Sequence, residues 1–389
     1  MKKPTKSIAL VNDGYVPIMD GVTITVQNYG YWLTQLGNRS CVIVPEVPGY
    51  QDEDIFPVIR YASIPIPTRP PYRLGLPSLD LTVKKLIKQQ KFSLVHVHSP
   101  FAAGRLARWI ADEYQIPLVA TFHSKYRDDF QQQFKLDSLV DIIIKEIIGF
   151  YQSADEVWVP QESVAQTLRS YGFRGNYHVM PNGTDMEMPE DISKHRRSGE
   201  SYLGINTDDI LGLYVGQHIR EKNLESVISS LPEIVNHQDN FKMVFVGTGY
   251  YKSEMMKTIK TWNLRSKVLF IDPIYDRQLL ATIYGRADIF VFPSLYDNTP
   301  LVIREAAALQ TPSLLVKGSD AAEPITDGVN GFLCDGTPKG IADKVLEVVS
   351  NPRCLQEAGK AAQKTIPITW KAAVQQASDR YTTILENYH

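Results

Sequence analysis

The stretch ADIFVFPSLYDNTPLVIREAAALQTPSLLV, residues 287–316, sets out the organisation of the chain. A short apolar run, ADIFVF (287–292), gives way to a polar loop; a helical pattern follows, and TPSLLV (311–316) begins another apolar run. Short, continuous Val/Ile/Phe-rich runs are strands buried on both faces. Two of them flanking a helix make a strand–helix–strand unit with parallel strands. Between strand and helix stand Asp297, Thr299 and Pro300, with Glu305 further on. The spacing predicts Thr299 as the helix cap and Pro300 at the first helical position. The free N–H groups of Leu301 and Val302 then suit an anion such as a diphosphate. Asp297, ahead of the helix, is placed to accept hydroxyl hydrogen bonds, and Glu305, about one turn in, to take both hydroxyls of a ribose. A plain N-terminal charge followed by a solvated helix position is the bland alternative, and the two acids alone do not separate the readings.

The same alternation fills the chain. In the first half the runs are IALV (8–11), CVIV (41–44), LVHV (94–97), PLVAT (117–121), EVWV (156–159) and YHVM (177–180), with helical patterns at 21–37 and 105–115. Residues 186–207 are polar and without periodicity, which predicts a linker. The pattern restarts with ILGLYVG (210–216), FKMVFVG (241–247) and KVLFID (267–272), and the tail 369–388 reads as a final helix. The expected class is α/β, with two Rossmann-like doubly wound domains. The expected boundaries are 1–190, 191–368 and a terminal helix over 369–389. Ligands of open α/β sheets bind beyond the carboxyl ends of strands, so the functional residues should follow strands.

Bulk properties exclude several classes. The chain has 389 residues, 43% hydrophobic and 22% charged, which suits two soluble domains. A net charge of −2 gives no basic field for nucleic acid. Cys41, Cys334 and Cys354 lie far apart, without paired or metal-like spacing. The basic N-terminus MKKPTKSIALVND carries too short an apolar run for a signal peptide and leads into a first strand, and no run reaches membrane-spanning length. A cytoplasmic location is expected.

Other motifs follow strands as well. Asp20-Gly21 precedes a helix, where a glycine lets an anionic ligand approach backbone donors; a plain strand-to-helix turn is the alternative. His96 and His98 share a strand face, but no third residue has suggestive spacing for a metal. His123 directly follows the strand PLVAT. VGQHIREKN (215–223) puts Arg220 and Lys222 in a strand-to-helix loop that suits a phosphate. Gly247 and Gly249 lack the third glycine of a dinucleotide fingerprint, which argues against a nicotinamide enzyme.

Taken in order, these motifs are similar to the family 4 retaining glycosyltransferases of GT-B fold over almost the whole length. The marks are Asp20-Gly21-Val22, HVHSPFAAG (96–104), ATFH ending in His123, PNGTD (181–185), VGQHIREKN, ADIFVFPS, the spaced acid pair, DGVNGFL (327–333) and a tail containing Trp370. The resemblance implies two domains facing a central cleft and a C-terminal helix crossing back to the N-terminal domain. It implies Asp297 on the donor's sugar hydroxyls, Glu305 on the ribose, His123 on the transferred sugar, Lys222 on the diphosphate and Ile274 against the base. Gly21, Gly216, Gln217, Arg220, Thr299, Leu301 and Val302 complete the expected donor site, with Arg220 also a catalytic candidate. Three positions depart from the family. Asp297 stands where Glu is usual, Gln217 replaces an arginine whose charge Arg220 would supply, and Pro300 replaces a glycine N–H donor.

The implied reaction transfers a hexose from a nucleoside diphosphate sugar, UDP-linked by preference, to an acceptor hydroxyl, with no metal or other cofactor. HVHSPFAAG with TFHSKYRDDF is similar to bacterial diacylglycerol glycosyltransferases, which implies a lipid acceptor and peripheral membrane contact. A saccharide or soluble acceptor is the alternative, and a sugar-nucleotide epimerase or a non-catalytic nucleotide-sugar binder belongs to other classes. The lysine-rich segment 80–91 reads as a solvated helix packed on its own sheet rather than one lying in a membrane.

Overall fold

The structure is a computed structural model describing residues 5–67, 70–133 and 136–388. Residues 1–4 of the basic N-terminal stretch lie outside the described residues. The chain divides into two compact units, Met1–Gly183 with Trp370–His389, and Thr184–Thr369. The division therefore falls after Gly183 rather than after 190, and the last helix belongs to the first unit.

In unit 1 the described strands are β1 (Ser7–Val11), β2 (Arg39–Pro45), β3 (Val58–Tyr61), a β4–β5 hairpin (Ser63–Pro65, Arg73–Gly75), β6 (Leu94–Val97), β7 (Leu118–Thr121), β8 (Glu156–Val159) and β9 (Tyr177–Val179). Apart from the hairpin they form one parallel sheet in the order β3-β2-β1-β6-β7-β8-β9. Its helices are α1 (Gly21–Gln35), α2 (Leu81–Gln89), α3 (Ala102–Tyr114), α4 (Tyr126–Gln133), α5 (Asp137–Gln152) and α6 (Glu162–Ser170). The sheet is covered on both faces, so β1, β6, β7 and β8 are buried along nearly their whole length. The segment 80–91 forms α2, capped by Asp80, and inserts Val83 and Ile87 into the core.

Unit 2 opens with α7 (Ser193–Leu203) and continues through β10 (Ile210–Val215), α8 (Leu224–His237), β11 (Phe241–Val246), α9 (Lys252–Thr261), β12 (Val268–Ile271), α10 (Arg277–Arg286), β13 (Ile289–Phe292), α11 (Leu301–Ala308), β14 (Ser313–Val316), β15 (Phe332–Cys334), α12 (Pro338–Val349) and α13 (Pro352–Thr365). Its described strands make a parallel sheet in the order β12-β11-β10-β13-β14-β15. The final helix, α14 (Trp370–Asn387), lies in unit 1. There Tyr381 stacks on the buried Trp158 at 5.1 Å, and Arg380 holds Glu156 at 2.5 Å.

Part of the expected linker is α7, which corrects the linker reading of 186–207. Its residues are mostly polar, so no apolar stripe announces it. It is held instead by close packing on α10: a methyl at Gly199 would come within 2.5 Å of Arg286 Cβ. The fully buried Arg286 guanidinium donates to Asp288 at 2.9 Å and to the carbonyl of Asp209 at 2.6 Å. β3, the β4–β5 hairpin and β15 are three- or four-residue strands that the apolar pattern does not reveal.

In both sheets the order reverses beside the first strand. β1 pairs with β2 on one side and β6 on the other, and β10 pairs with β11 and β13. Loops leaving two such adjacent strands emerge side by side, which places each unit's candidate residues.

Candidate functional site

In unit 2 the adjacency of β10 and β13 brings together residues that lie far apart in the sequence. Lys222, from the loop after β10, and Asp297, from the loop after β13, form an ion pair between Nζ and Oδ1, with both side chains largely buried. The ammonium also lies 5.4 Å from the Tyr296 ring centre. Asp297 Oδ2 and Thr299 Oγ1 are buried and have no hydrogen-bond partner among the described residues. Unsatisfied buried oxygens are costly, and a polar ligand or a water reaching them would complete the hydrogen bonding.

The helix start differs from the expected cap. Pro300, with ψ 125°, stands at the cap position of α11, and the helix begins at Leu301. Thr299 is one residue too early to cap it, and no side chain does so. The N–H groups of Leu301 and Val302 therefore open the helix without a capping side chain, which leaves them able to donate to an anion.

Glu305 is buried one turn further on. Its Oε2 accepts from the Tyr284 hydroxyl at 2.9 Å and its Oε1 from Arg277 at 2.5 Å, while Arg277 also grips Asp185 at 2.6 and 2.8 Å. Burial, and then the charge of Glu305, push the Tyr284 phenol well above its ordinary pKa, so it remains a donor. A carboxylate has about four lone-pair sites, and these bonds fix its orientation while leaving capacity for a diol. The sequence reading missed Arg277 and Tyr284. They begin and nearly end α10, and only the packing of α10 beside α11 reveals their role.

At Gly216, with φ +152°, a Cβ would lie 2.9 Å from the Tyr214 hydroxyl, and Gly247 is required by backbone approach. Gly247 has φ +137°, and a Cβ there would lie 2.0 Å from the Gly216 carbonyl oxygen. Gln217 is exposed, and its carbonyl accepts from the Tyr214 hydroxyl at 2.9 Å. Arg220 is directed elsewhere. Its guanidinium donates to Glu225 at 3.0 Å and to Glu254 at 2.5 Å and lies over Tyr251, so it is committed to two acids rather than joined to the Lys222–Asp297 pair. Ile274 follows the edge strand β12 and packs, half-buried, against the unit 2 core.

In unit 1 Asp20 caps α1, accepting from Thr23 N at 2.8 Å and from the Tyr72 hydroxyl at 3.0 Å. The α1 terminus thus already carries a carboxylate, while a Cβ at Gly21 would meet nothing within 4 Å. His123, two residues beyond β7, lies with its Nε2 3.0 Å from His98 Nδ1, and burial lowers its pKa to about 4. His96 does not present its ring to a ligand: its two nitrogens bond Tyr381 at 2.6 Å and Thr121 at 2.7 Å.

Comparison with known proteins bears on the family and the fold. Residues 19–188 match the family described as Glycosyltransferase Family 4, and residues 199–365 match Glycosyl transferases group 1. An alpha-monoglucosyldiacylglycerol synthase of Streptococcus pneumoniae is 25% identical over 349 residues, covering 88% of this chain and 78% of that enzyme. One from Acholeplasma laidlawii is 23% identical over 369 residues, covering 92% and 91%. Anabaena Alr3699/HepE, solved in complex with UDP, superposes with a TM-score of 0.78 at 17% identity, over 97% of this chain and 100% of that one. With UDP and glucose bound, its TM-score is 0.76 at 18% identity, over 97% and 100%. The chain belongs to the family 4 glycosyltransferases and has the GT-B fold, with similarity to the diacylglycerol glycosyltransferases of bacteria.

Proposed function

We propose that this glycosyltransferase moves a hexose from a UDP-sugar to a hydroxyl of a membrane glycolipid precursor such as diacylglycerol, with retention at the anomeric carbon. The observation that carries the donor side is the buried Glu305 carboxylate, oriented by Tyr284 and Arg277, eight residues beyond the Lys222–Asp297 pair. Glu305 takes the ribose hydroxyls, the α11 start takes the diphosphate, and Asp297 with its free Oδ2 takes the sugar hydroxyls. His123 contacts the transferred sugar, and Ile274 packs on the base. The uridine preference rests on the UDP bound by HepE, and the lipid acceptor on the names of the two synthases.

In the reaction the bond from the anomeric carbon to the phosphate oxygen breaks as the acceptor oxygen bonds that carbon from the same face. The acceptor's proton passes to the departing phosphate oxygen. Lys222 and the Leu301 and Val302 N–H groups meet the charge that develops on the diphosphate, the part a metal plays elsewhere. Transfer is therefore expected to persist in a chelator. No described helix is long and apolar enough to cross a membrane. Contact with the inner membrane face belongs to the same proposal.

The test is calorimetric titration with UDP, GDP, ADP and NAD, without metal, on wild type and Glu305→Ala. UDP binding that weakens at least about tenfold in the variant supports the reading, because a charged hydrogen-bond acceptor is lost. Equal affinity in both proteins rejects the ribose role, and no diphosphate binding at all rejects the donor site. Transfer to diacylglycerol then separates a transferase from an epimerase, which would convert the donor alone.

A further inference from the structure

The loop from β13 to α11 is ordered at its start by the fully buried Ser294, whose hydroxyl oxygen accepts from Tyr296 N at 3.2 Å and from Asp297 N at 3.3 Å. Those bonds fix the backbone at Asp297, and the ion pair to Lys222 fixes one oxygen of its carboxylate. Asp297 Oδ2 and, two residues on, Thr299 Oγ1 stay buried without a hydrogen-bond partner among the described residues.

A threonine hydroxyl beside a helix start ordinarily bonds a main-chain group of that helix. Here Pro300 takes the cap position, with φ −66° and ψ 125°, which leaves Thr299 outside the helix and its hydroxyl unused. Pro300 itself has no N–H to offer, and the Thr299 O–H just before it supplies a donor. The two oxygens differ in what they take: a carboxylate oxygen only accepts, whereas a hydroxyl donates one proton and also accepts. Water satisfies such a pair, and so does a sugar, whose hydroxyls donate and accept alike. A buried acceptor and a buried donor in one loop select among sugars, because an epimer that turns its hydroxyl away leaves them unpaired.

We propose that Thr299 is a specificity-determining residue for the donor sugar: its hydroxyl donates to the hexose whose hydroxyls Asp297 Oδ2 accepts from. This rests on the donor reading given above and deepens it. Glu305 and Lys222 hold the nucleoside diphosphate, while Asp297 and Thr299 read the sugar. All four residues belong to unit 2, so the inference concerns donor binding by that unit.

The experiment is calorimetric titration of the full chain, without metal, in wild type, Thr299→Val and Thr299→Ser. The ligands are UDP with UDP-glucose, UDP-galactose and UDP-N-acetylglucosamine, and GDP with GDP-mannose. Valine keeps the shape and removes the hydroxyl, and serine keeps the hydroxyl. Thr299→Val should weaken the nucleotide sugar that the wild type binds best by about three- to tenfold, the loss of one hydrogen bond. Its affinity for the matching free nucleoside diphosphate should stay within about twofold of wild type, which also shows that the loop is intact. Thr299→Ser should recover most of the loss, and the wild type's preference over the other sugars should narrow in Thr299→Val. An unchanged nucleotide-sugar affinity in Thr299→Val overturns the proposal, since water then satisfies the hydroxyl. An equal loss for the free diphosphate overturns it too, because Thr299 would then act at the phosphates or in the packing of the loop. A wild type that binds a nucleoside diphosphate but none of its sugars sinks this inference and leaves Glu305 its role. A wild type that binds no diphosphate sinks the donor reading as well.

Discussion

Lys222 and Arg220 lie two residues apart in one loop, yet their surroundings divide their roles. The Lys222 ammonium is largely buried against Asp297, whereas the Arg220 guanidinium is half exposed and already holds Glu225 and Glu254. In the proposed donor site Lys222→Ala removes a charge from the diphosphate, and it leaves the largely buried Asp297 carboxylate without its ion-pair partner. UDP affinity should fall by about ten- to a hundredfold, the effect of removing one partner of a buried charged contact. Arg220→Ala should cost less than about threefold, since exposed pairs contribute little. Calorimetry with UDP ranks the two; a larger loss in Arg220→Ala would return to Arg220 the charge that is missing at Gln217.

At the scale of elements, α14 ties itself to the unit 1 sheet through one buried polar contact inside an aromatic stack. The Tyr381 hydroxyl reaches His96 Nδ1 at 2.6 Å while its ring lies on Trp158. Tyr381→Phe keeps the stack and leaves a buried ring nitrogen unsatisfied. It should destabilise the protein by about 1–3 kcal/mol, read as a lower urea midpoint at unchanged slope. An unchanged midpoint would show that the His96 contact contributes no net stability. Lys6, donating to the Ser378 carbonyl at 2.7 Å, and Arg380, on Glu156, secure the same helix nearer the surface.

For the molecule as a whole, buried imidazoles make stability depend on pH. Burial lowers His123 and His218 to about 4 and puts His96 and His98 well below 6.5. As pH falls the unfolded chain binds these protons first. The contribution is therefore complete above about 6.5 and is lost as pH falls towards the folded values near 4. His123 alone accounts for about 2 kcal/mol between pH 7.5 and 5.0. The urea midpoint should drop over that interval, and a midpoint that holds or rises would contradict the burial of these rings as neutral groups.

By itself the sequence determined what depends on local pattern. Runs such as IALV, FKMVFV and IFVF are apolar enough to be strands only if buried on both faces, and helices between them dictate two parallel sheets. The acid pair in one strand–loop–helix segment was legible for the same reason: Asp297 and Glu305 are close in the chain. Local pattern could not supply α7, whose few apolar residues make no stripe and whose packing depends on Gly199 fitting against Arg286. Nor could it show that Pro300 would displace Thr299 from the cap, which depends on the backbone at the end of the loop. Only the tertiary structure decided which distant residues meet. Lys222 reaches Asp297 because β10 and β13 are neighbours, His98 reaches His123 because β6 and β7 are, and Arg277 with Tyr284 reaches Glu305 because α10 packs beside α11. The physical reason is that strand order and helix packing are set by burying surface across the whole unit, and no spacing along the chain encodes them.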